Sequence, residues 1–454
     1  MSEALASHGS ADLAPLLERL FALGRRGARL GLDRMNEALA LLDEPHAGLA
    51  AIHIAGTNGK GSTAAMLESI ARHAGLRTGL YTSPHLASMN ERIRIDGEPI
   101  DDQRFAAALG RALDEELPPL SLFETMTLAA FLAMRDAKVE LAVIEVGLGG
   151  RLDATNVLER PLATAITSIG LDHQGFLGTT LASIAREKAG IARSGVPLVV
   201  APLALEAARA VAEVARAAQS ELVWLEDEGA HVRTHAEDAS LGGARLSLVR
   251  HDSRATLRFA DGEEVTLAPR LAGAHQLANA AVAATCAHLA SRSIPELAQA
   301  IAGGVSSATW PGRLERVSAH GRTFLFDCAH NTEGMLALCA YLERDAHRAD
   351  RTVLVFGAID DKPHLEMLAM VAPLASRRIY CRPIDPIAGR HAAEPSALAD
   401  AWPGSCHDGP SAALAAALAK SGPDDLVLVT GSIFLVGAVR ALFLELPLGP
   451  AVPL

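Results

Sequence analysis

The sequence predicts an α/β protein of two domains, a large N-terminal domain and a smaller C-terminal one. Short apolar runs alternate with longer amphipathic patterns, which is typical of a parallel sheet covered by helices on both faces. This alternation gives way to a polar–apolar alternation near residues 229–270, and it resumes after Trp310-Pro311-Gly312. We therefore expect domains at residues 1–308 and 309–454, a division that a chain of 454 residues readily accommodates.

The N-terminal domain shows a repeated order of strand and helix. Its apolar runs predict strands at Ala51–Ala55, Thr78–Thr82, Leu141–Val146, Ala163–Ile169 and Val196–Ala201. Amphipathic stretches predict helices at Ser62–Ala74, Asp102–Leu117, Glu124–Ala137 and Leu181–Ile191. Because a parallel sheet of this kind binds ligands at the carboxyl ends of its strands, polar residues that follow the strands are the candidates for function.

The middle of the chain predicts a small antiparallel β unit attached to the first domain. Its polar–apolar alternation surrounds an Asp261-Gly262 pair that suits a tight turn. Helical patterns follow at His275–Leu289 and Pro295–Ala302. The C-terminal domain then predicts strands at Thr323–Asp327, Thr352–Phe356, Arg378–Cys381 and Leu426–Thr430.

Charge and composition exclude several classes of protein. The 41 Lys and Arg residues against 53 Asp and Glu give a net charge of −12, which argues against nucleic acid as a partner. Five cysteines without a CxxC pair indicate neither a disulfide framework nor a zinc site. The N-terminus has no signal-peptide pattern, and the apolar stretch Leu426–Val439 is interrupted and shorter than the ~18 residues of a membrane helix. We expect a soluble cytoplasmic protein without a membrane partner.

The segment AIHIAGTNGKGST at residues 51–63 predicts a phosphate-binding loop. A strand ends at Gly56, a turn carries Lys60, and a helix opens at Ser62. Glycines let the backbone approach a phosphate, while the helix N-terminus and the lysine supply positive charge. The usual GxxxxGK[ST] pattern is not met, since Gly61 separates Lys60 from the hydroxyls. The alternative is a glycine-rich turn with a surface lysine.

Further polar residues follow predicted strands or end a helix. Glu145 closes an apolar run, so its carboxylate faces the strand-end crevice and suits Mg²⁺; the alternative is a carboxylate satisfied by a neighbouring arginine. Ser83 and His173 also follow strands, although Asp172 could hold His173 in a structural role. Lys188, one of only five lysines, lies near a helix end, where lysines often bind carbonyl groups.

The ordered set of motifs resembles the folylpolyglutamate synthase / dihydrofolate synthase family, within the Mur ligase group of ATP-dependent amide-forming enzymes. The resemblance runs through most of the chain, from residues 31–35 to residues 430–432. Its markers are GTNGKGS at 56–62, SPHL at 83–86, EVGLGGRLDATN at 145–156, LDH at 171–173, EKAGI at 187–191, PGR at 311–313 and DCAHN at 327–331.

The resemblance implies a P-loop-type ATPase domain followed by a Rossmann-like glutamate ligase domain, with ATP as co-substrate and two Mg²⁺ ions. It implies Mg²⁺ ligands at Ser83, Glu145 and His173, and catalytic roles for Lys60, Lys188 and His173. Lys188 matches a lysine that is N-carboxylated in the family and helps to organise the second Mg²⁺. The implied ATP-binding residues are Gly56, Thr57, Asn58, Gly59, Lys60, Gly61, Ser62, Asn279, Arg313, Asp327 and His330.

Three segments resemble the site for the pterin or folate acceptor. They comprise Arg25, Arg26, Gly27 and Ala28; Phe123, Glu124 and Thr125; and Leu152, Asp153, Ala154 and Thr155. A pteridine ring needs an apolar slot with a few placed hydrogen-bonding groups, which this mixture supplies. Each segment could also be an ordinary cap or loop, with Asp153 as a turn residue. The Arg25-Arg26 pair departs from the polar residues more usual there, and Lys362 receives no role.

The implied reaction joins L-glutamate to dihydropteroate and to reduced folates through an acyl phosphate formed with ATP. RLDATN and the pterin-like segments favour the bacterial bifunctional type, and a monomer is expected. The close alternative is a synthase that acts on tetrahydrofolates only. A peptidoglycan-precursor ligase is more distant, because SPHL and EKAGI argue against it. A nucleotide-hydrolysing regulator would leave Ser83, Glu145, His173 and Lys188 unexplained.

Overall fold

The structure is a computed structural model that describes residues 12–24, 31–227, 241–345, 348–384 and 391–447. The chain divides into two compact units. The first contains residues 1–84, 90–268 and 278–307, and the second contains residues 85–89, 269–277 and 308–454. One boundary between the units falls between residues 307 and 308, and two short segments that precede it, residues 85–89 and 269–277, belong to the second unit.

The first unit alternates strands and helices along most of its length. Its elements are α1 (Leu13–Gly24), α2 (Asp33–Leu41), β1 (Ala51–Ala55), α3 (Lys60–His73), β2 (Thr78–Tyr81), β3 (Ile93–Ile95), β4 (Glu98–Pro99), α4 (Asp102–Ala112), α5 (Leu122–Asp136), β5 (Leu141–Glu145), β6 (Ala163–Ile166), α6 (Gln174–Leu177), α7 (Leu181–Ala189), β7 (Pro197–Val200), α8 (Leu205–Ala217), β8 (Glu221–Asp227), β9 (Ala244–His251), β10 (Arg254–Arg258), β11 (Glu264–Leu267), α9 (His275–Ala290, entering from the second unit) and α10 (Glu296–Ser307).

Within the described residues, this unit forms an eleven-stranded sheet in the order β11-β10-β9-β8-β7-β6-β1-β5-β2-β3-β4. The strands from β9 to β2 run parallel, and two antiparallel strands complete each edge. Strand β1 lies between β5 and β6 and is buried throughout, which suits its apolar sequence. The carboxyl ends of β1, β2, β5 and β6 therefore meet at one edge of the sheet.

The predicted antiparallel unit is confirmed, and it continues the main sheet. Strand β9 pairs parallel with β8 and antiparallel with β10, which forms a hairpin with β11. Gly262 in the connecting turn has φ +90°, a left-handed conformation that favours glycine. The polar–apolar pattern that predicted this unit matches strands with one covered face.

Helix α3 is held tightly against α10 by a glycine. A Cβ atom on Gly304 would lie 2.4 Å from the Cα atom of Ile70, so only glycine permits this approach. The Ser69 hydroxyl donates a hydrogen bond of 2.8 Å to the carbonyl of Gly304. The helix that follows the glycine-rich loop is thus fixed along its buried length.

The second unit repeats the α/β arrangement on a smaller scale. Its elements are β12 (Glu315–Ala319), β13 (Arg322–Phe326), α11 (Thr332–Arg344), β14 (Thr352–Phe356), α12 (His364–Val371), β15 (Arg377–Cys381), α13 (Pro395–Ala401), β16 (Ser405–His407), α14 (Pro410–Lys420), β17 (Leu426–Thr430) and α15 (Ile433–Phe443). In the part of this unit that the structure describes, six strands form a sheet in the order β12-β13-β17-β14-β15-β16, with only β12 antiparallel to its neighbour. Apolar clusters cover both of its faces. No helix among the described residues of either unit has the length and apolar character that a bilayer crossing requires.

Candidate active site

The loop that follows β1 is pinned to the end of the neighbouring strand β6. The amide of Thr57 donates to the Ser168 carbonyl at 2.9 Å, and the amide of Asn58 donates to the Ser168 hydroxyl at 2.8 Å. The Thr167 hydroxyl donates to the Asn58 carbonyl at 2.7 Å. The amides of Thr57 and Asn58 are thus hydrogen-bonded within the protein. The backbone amides in the first turn of helix α3 are the groups that a helix N-terminus offers to an anion.

Helix α3 begins at Lys60, two residues before the predicted start at Ser62. Gly59 is the residue before the helix and has φ +87°, which favours glycine. A Cβ atom on Gly59 would lie 2.4 Å from the Oδ1 atom of Asn279, a buried residue of helix α9. Asn279 was predicted at the nucleotide site, and the structure places it directly against the glycine-rich loop.

Two lysines converge on one carbonyl of this loop. The Nζ atom of Lys60 lies 3.1 Å from the Gly56 carbonyl oxygen and 3.3 Å from that of Thr57. The Nζ atom of Lys188, at the end of α7, donates to the same Gly56 oxygen at 2.8 Å. Two of the five lysines of the chain thus lie at the base of the predicted phosphate loop.

The environment of Lys188 favours its neutral amine. Its side chain is buried, and this burial together with the positive charge of Lys60 lowers the pKa of Lys188 to about 7. The carboxylates of Asp172 and Asp153 oppose the shift. A neutral amine is the form that reacts with CO₂, so this setting is compatible with the predicted carboxylation.

Glu145 lies at the end of β5, beside the loop. Its Oε1 atom is 3.9 Å from the Nζ atom of Lys60, and its Oε2 atom accepts a hydrogen bond of 3.3 Å from the amide of Ser83. Ser83 follows β2, the strand adjacent to β5 in the sheet. The structure therefore brings Lys60, Ser83 and Glu145 together at one sheet edge, as the sequence predicted.

The donor chemistry of this edge fits Mg²⁺. Glu145 is a buried carboxylate, Ser83 carries a hydroxyl, and both provide the oxygen donors that Mg²⁺ prefers. His173, the third predicted ligand, lies beyond the end of β6, with φ +51° and its Nε2 atom 3.9 Å from Asp172. Its side chain is about one-third exposed, at 35%. The ligand role of His173 stays a prediction.

The turn predicted to contact the acceptor is organised by its own carboxylate. Asp153 is buried and accepts hydrogen bonds from the Leu148 amide at 2.8 Å, the Thr155 amide at 3.0 Å and the Thr155 hydroxyl at 2.5 Å. Burial raises the pKa of Asp153, and these hydrogen bonds oppose the rise. Leu152 and Ala154 flank it in the turn. Asp153 thus has the local structural role that the sequence left open.

The segment at the start of α5 is also tied into the fold. Ser121 and Glu124 form a reciprocal cap, and the Arg34 guanidinium donates to Glu124 at 2.9 Å. Phe123 packs against Gly147, where a Cβ atom would lie 2.3 Å from its ring. The hydroxyl of Thr125 is buried, and it makes no hydrogen bond with the part of the chain that the structure covers. The remaining acceptor residues, Arg25, Arg26, Gly27 and Ala28, lie outside the described residues.

Three predicted nucleotide residues belong to the second unit. Asp327 is buried after β13 and accepts hydrogen bonds of 3.0 Å from the amides of Leu314 and Ala329. Burial raises the pKa of Asp327, and the charge of Arg313 opposes this. The ring Nδ1 atom of His330 lies 2.9 Å from the Cys328 carbonyl. These contacts give Asp327 and His330 structural partners, and their roles at a nucleotide stay predictions.

Sequence reasoning missed charged residues that shape both units. Arg92 is buried, and its positive charge interacts with Glu145 and Tyr81. In the second unit, Glu315 accepts two hydrogen bonds from Arg440, at 2.7 and 2.9 Å. A charged residue inside an apolar helix such as α15 is the one signal that could have singled out Arg440.

Comparison with known proteins gives matches along most of the chain. Residues 54–287 match the family described as Mur ligase middle domain, and residues 312–433 match that described as Mur ligase, glutamate ligase domain. A dihydrofolate synthase/folylpolyglutamate synthase of Bacillus subtilis is 34% identical over 424 residues, which cover 91% of this chain and 95% of the relative.

Solved structures show the same fold. FolC of E. coli in complex with DHPP and ADP has a TM-score of 0.79 and 29% identity, covering 97% of this chain and 99% of that one. A bifunctional folylpolyglutamate synthase/dihydrofolate synthase with Mn, AMPPNP and L-glutamate bound has a TM-score of 0.78 and 30% identity. The coverage is 96% of this chain and 99% of the other.

Proposed function

This chain belongs to the dihydrofolate synthase/folylpolyglutamate synthase family of the Mur ligases, and on that premise we propose that it joins L-glutamate to dihydropteroate and to reduced folates at the expense of ATP. The observation that carries the proposal is the meeting of Lys60, Lys188 and Glu145 around the glycine-rich loop. Cationic and carboxylate groups of this kind are what an anionic nucleotide and a divalent ion require.

The reaction proceeds by activation of a carboxylate. An oxygen of the acceptor carboxylate attacks the γ-phosphorus of ATP, ADP leaves, and an acyl phosphate forms. The α-amine of glutamate then attacks the acyl carbon, loses a proton, and expels inorganic phosphate as the amide forms. Both partners of the first step are anions, so the site must supply positive charge where they approach each other.

The residues of the first unit supply that charge. Lys60 and the first amides of α3 face the phosphates, and Gly56 and Gly59 let the loop approach them closely. Ser83, Glu145 and His173 would hold Mg²⁺, which would neutralise phosphate charge. Arg313, Asp327 and His330 of the second unit contribute to nucleotide binding, together with Asn279.

Lys188 has a second proposed role. Its lowered pKa leaves a neutral amine that adds CO₂ and releases one proton, which gives a carbamate anion. A carbamate at this position would supply oxygen ligands for a second Mg²⁺ ion. The protein is further proposed to act as a monomer in the cytoplasm, a location that its five free thiols support.

A coupled assay tests the function directly. Purified protein with ATP, Mg²⁺ and L-glutamate is offered dihydropteroate, tetrahydrofolate or no acceptor, and ADP release is measured. We expect release with either acceptor, and only when glutamate is present. ADP release with tetrahydrofolate but not with dihydropteroate would indicate a folylpolyglutamate synthase only. ADP release without any acceptor would contradict the proposal that the protein is a ligase.

A further inference from the structure

A buried histidine lies at the centre of the main sheet, just before the glycine-rich loop, and neither the family markers nor the proposed reaction uses it. His53 is the middle residue of β1 and is 1% exposed. Its Nε2 atom lies 2.8 Å from the hydroxyl oxygen of Thr155, which in turn donates to the Asp153 carboxylate at 2.5 Å. A polar chain therefore runs from the central strand into the turn predicted to contact the acceptor.

The direction of the protons in this chain follows from its chemistry. The hydroxyl of Thr155 has one proton, and it is donated to Asp153, so towards His53 the hydroxyl oxygen can only accept. The Nε2 atom of His53 must then carry a proton. Burial and the nearby charge of Arg193 lower the pKa of His53 to about 3, so the ring is neutral and its proton resides on Nε2.

The carboxylate at the other end of this hydrogen-bonded series is held by donors of its own turn. Asp153 accepts hydrogen bonds from the amides of Leu148 and Thr155 as well as from the Thr155 hydroxyl. An ionised carboxylate offers about four acceptor positions, and these three donors occupy most of them. Burial raises the pKa of Asp153, the hydrogen bonds to its carboxylate oppose that rise, and the Thr155 hydroxyl is the donor in its contact with Asp153.

We propose that His53 is a positioning residue, whose Nε2–H orients Thr155 and thereby fixes the Gly147–Thr155 turn in the shape that receives the pteridine acceptor. The identity of the ligand in this inference rests on the proposed function. The mechanical role of His53 is independent of the proposed function, because the hydrogen bonds that define the turn exist without any ligand.

The kinetic test compares His53→Leu, which removes the donor, with His53→Gln, which keeps an N–H donor. A matched control is Thr164→Val, because Thr164 is the register partner of His53 on β6 and its buried hydroxyl donates to Pro197 instead. For His53→Leu we expect the KM for dihydropteroate to rise about tenfold and the KM for ATP to stay within about twofold, with partial recovery in His53→Gln. Equal increases in both KM values, or the same pattern in Thr164→Val, would overturn the inference.

A second test needs no activity, so it stands even if the proposed function fails. Hydrogen exchange of the peptide covering residues 147–156 is measured by mass spectrometry. We expect faster exchange in His53→Leu and in Thr155→Val than in the wild type and in Thr164→Val. Unchanged exchange in both variants would refute the positioning role. In the wild type, ¹⁵N NMR of the histidine rings should show His53 as the Nε2–H tautomer; the Nδ1–H tautomer or an imidazolium ring would refute the proton assignment.

Discussion

Lys60 and Lys188 donate hydrogen bonds to the same acceptor, the carbonyl oxygen of Gly56, at 3.1 and 2.8 Å. Burial, together with the repulsion that two ammonium groups on one oxygen would experience, lowers the pKa of Lys188 to about 7. The repulsion is relieved when negative charge enters, either as a phosphate at Lys60 or as a carbamate on Lys188. Binding of an anion beside Lys60 and Lys188 is therefore favoured by their positive charge.

The first prediction concerns the pH dependence of stability. Burial lowers the pKa of folded Lys188 to about 7, whereas an unfolded lysine titrates near ~10.4. Between these two pH values the unfolded state binds more protons than the folded state. The buried amine therefore destabilises the fold fully below pH 7, and this destabilisation decreases as the pH rises, by up to about 1.4 kcal/mol per pH unit. Lys188→Met should therefore gain more in Tm over the wild type at pH 6.5 than at pH 8.5, measured in CO₂-free buffer. Lys420→Met, at an exposed lysine, is the control.

The second prediction tests the carbamate. Lys188→Ala should lower turnover by at least about a hundredfold, and acetate or formate should restore part of it by occupying the vacated space as a free carboxylate. The rescue is measured as ADP release against carboxylate concentration. Lys138→Ala, which removes another lysine of the same unit, should retain its activity and show no response to acetate. Full activity in Lys188→Ala would exclude the carbamate from the reaction.

The third prediction separates backbone strain from a clash at the glycine-rich loop. Gly59 and Gly75 have similar φ values, +87° and +82°, but only at Gly59 would a Cβ atom meet a neighbour, the Oδ1 atom of Asn279 at 2.4 Å. Both alanine substitutions should cost about 1 kcal/mol from the left-handed backbone. Only Gly59→Ala should also weaken binding of an ATP analogue, measured by calorimetry. Equal binding in the two variants would remove Asn279 from the nucleotide site.

The fourth prediction concerns the divalent ion. Glu145→Gln keeps the shape of the side chain but removes the charge that faces Lys60 at 3.9 Å. The Mg²⁺ concentration for half-maximal activity should rise at least about tenfold, since a carboxylate ligand is lost. Glu140→Gln, just before the same strand, is the control, because its carboxylate accepts from the exposed Arg77 amide. The same Mg²⁺ requirement in wild type and Glu145→Gln would place the ion elsewhere.

The central strands could be predicted closely from the sequence, and the edge strands could not. Ala51–Ala55 and Leu426–Thr430 have the predicted bounds, because a strand buried on both faces is a largely apolar run, here with His53 and Thr430 as the polar exceptions. The strands at or next to the edges, β3, β4 and β16, are only two or three residues long and partly exposed, so they leave no such pattern. The sequence predicts that the helix after the loop starts at Ser62, because Lys60-Gly61 looks like a turn; in the structure the turn ends at Gly59 and the helix begins at Lys60.

At the candidate site, the sequence was sufficient to predict those residues that the order of strands and helices alone brings to the end of the sheet. Ser83 follows β2 and Glu145 ends β5, and the alternation of strand and helix already places the carboxyl ends of parallel strands at one edge of the sheet. The contact between Lys188 and Gly56 joins residues 132 positions apart through the packing of α7 on the sheet. The hydrogen bonds that link His53 through Thr155 to Asp153 depend in the same way on how a turn folds back onto the sheet. No spacing in the sequence predicts them.

The fifth prediction concerns the turn that carries Arg313. The Glu315 carboxylate accepts the amide of Gly312 at 2.8 Å and is itself held by the guanidinium of Arg440 at 2.7 and 2.9 Å. Arg440→Met leaves that half-buried carboxylate without its positively charged partner, so it should lower the stability of this unit by about 1–3 kcal/mol and loosen the turn. If Arg313 binds the nucleotide, the KM for ATP should rise in Arg440→Met as it does in Arg313→Ala. The control is Arg316→Met, which breaks an exposed ion pair and should change neither Tm nor the KM for ATP. An unchanged KM for ATP in Arg440→Met would show that the Glu315–Arg440 ion pair does not affect nucleotide binding.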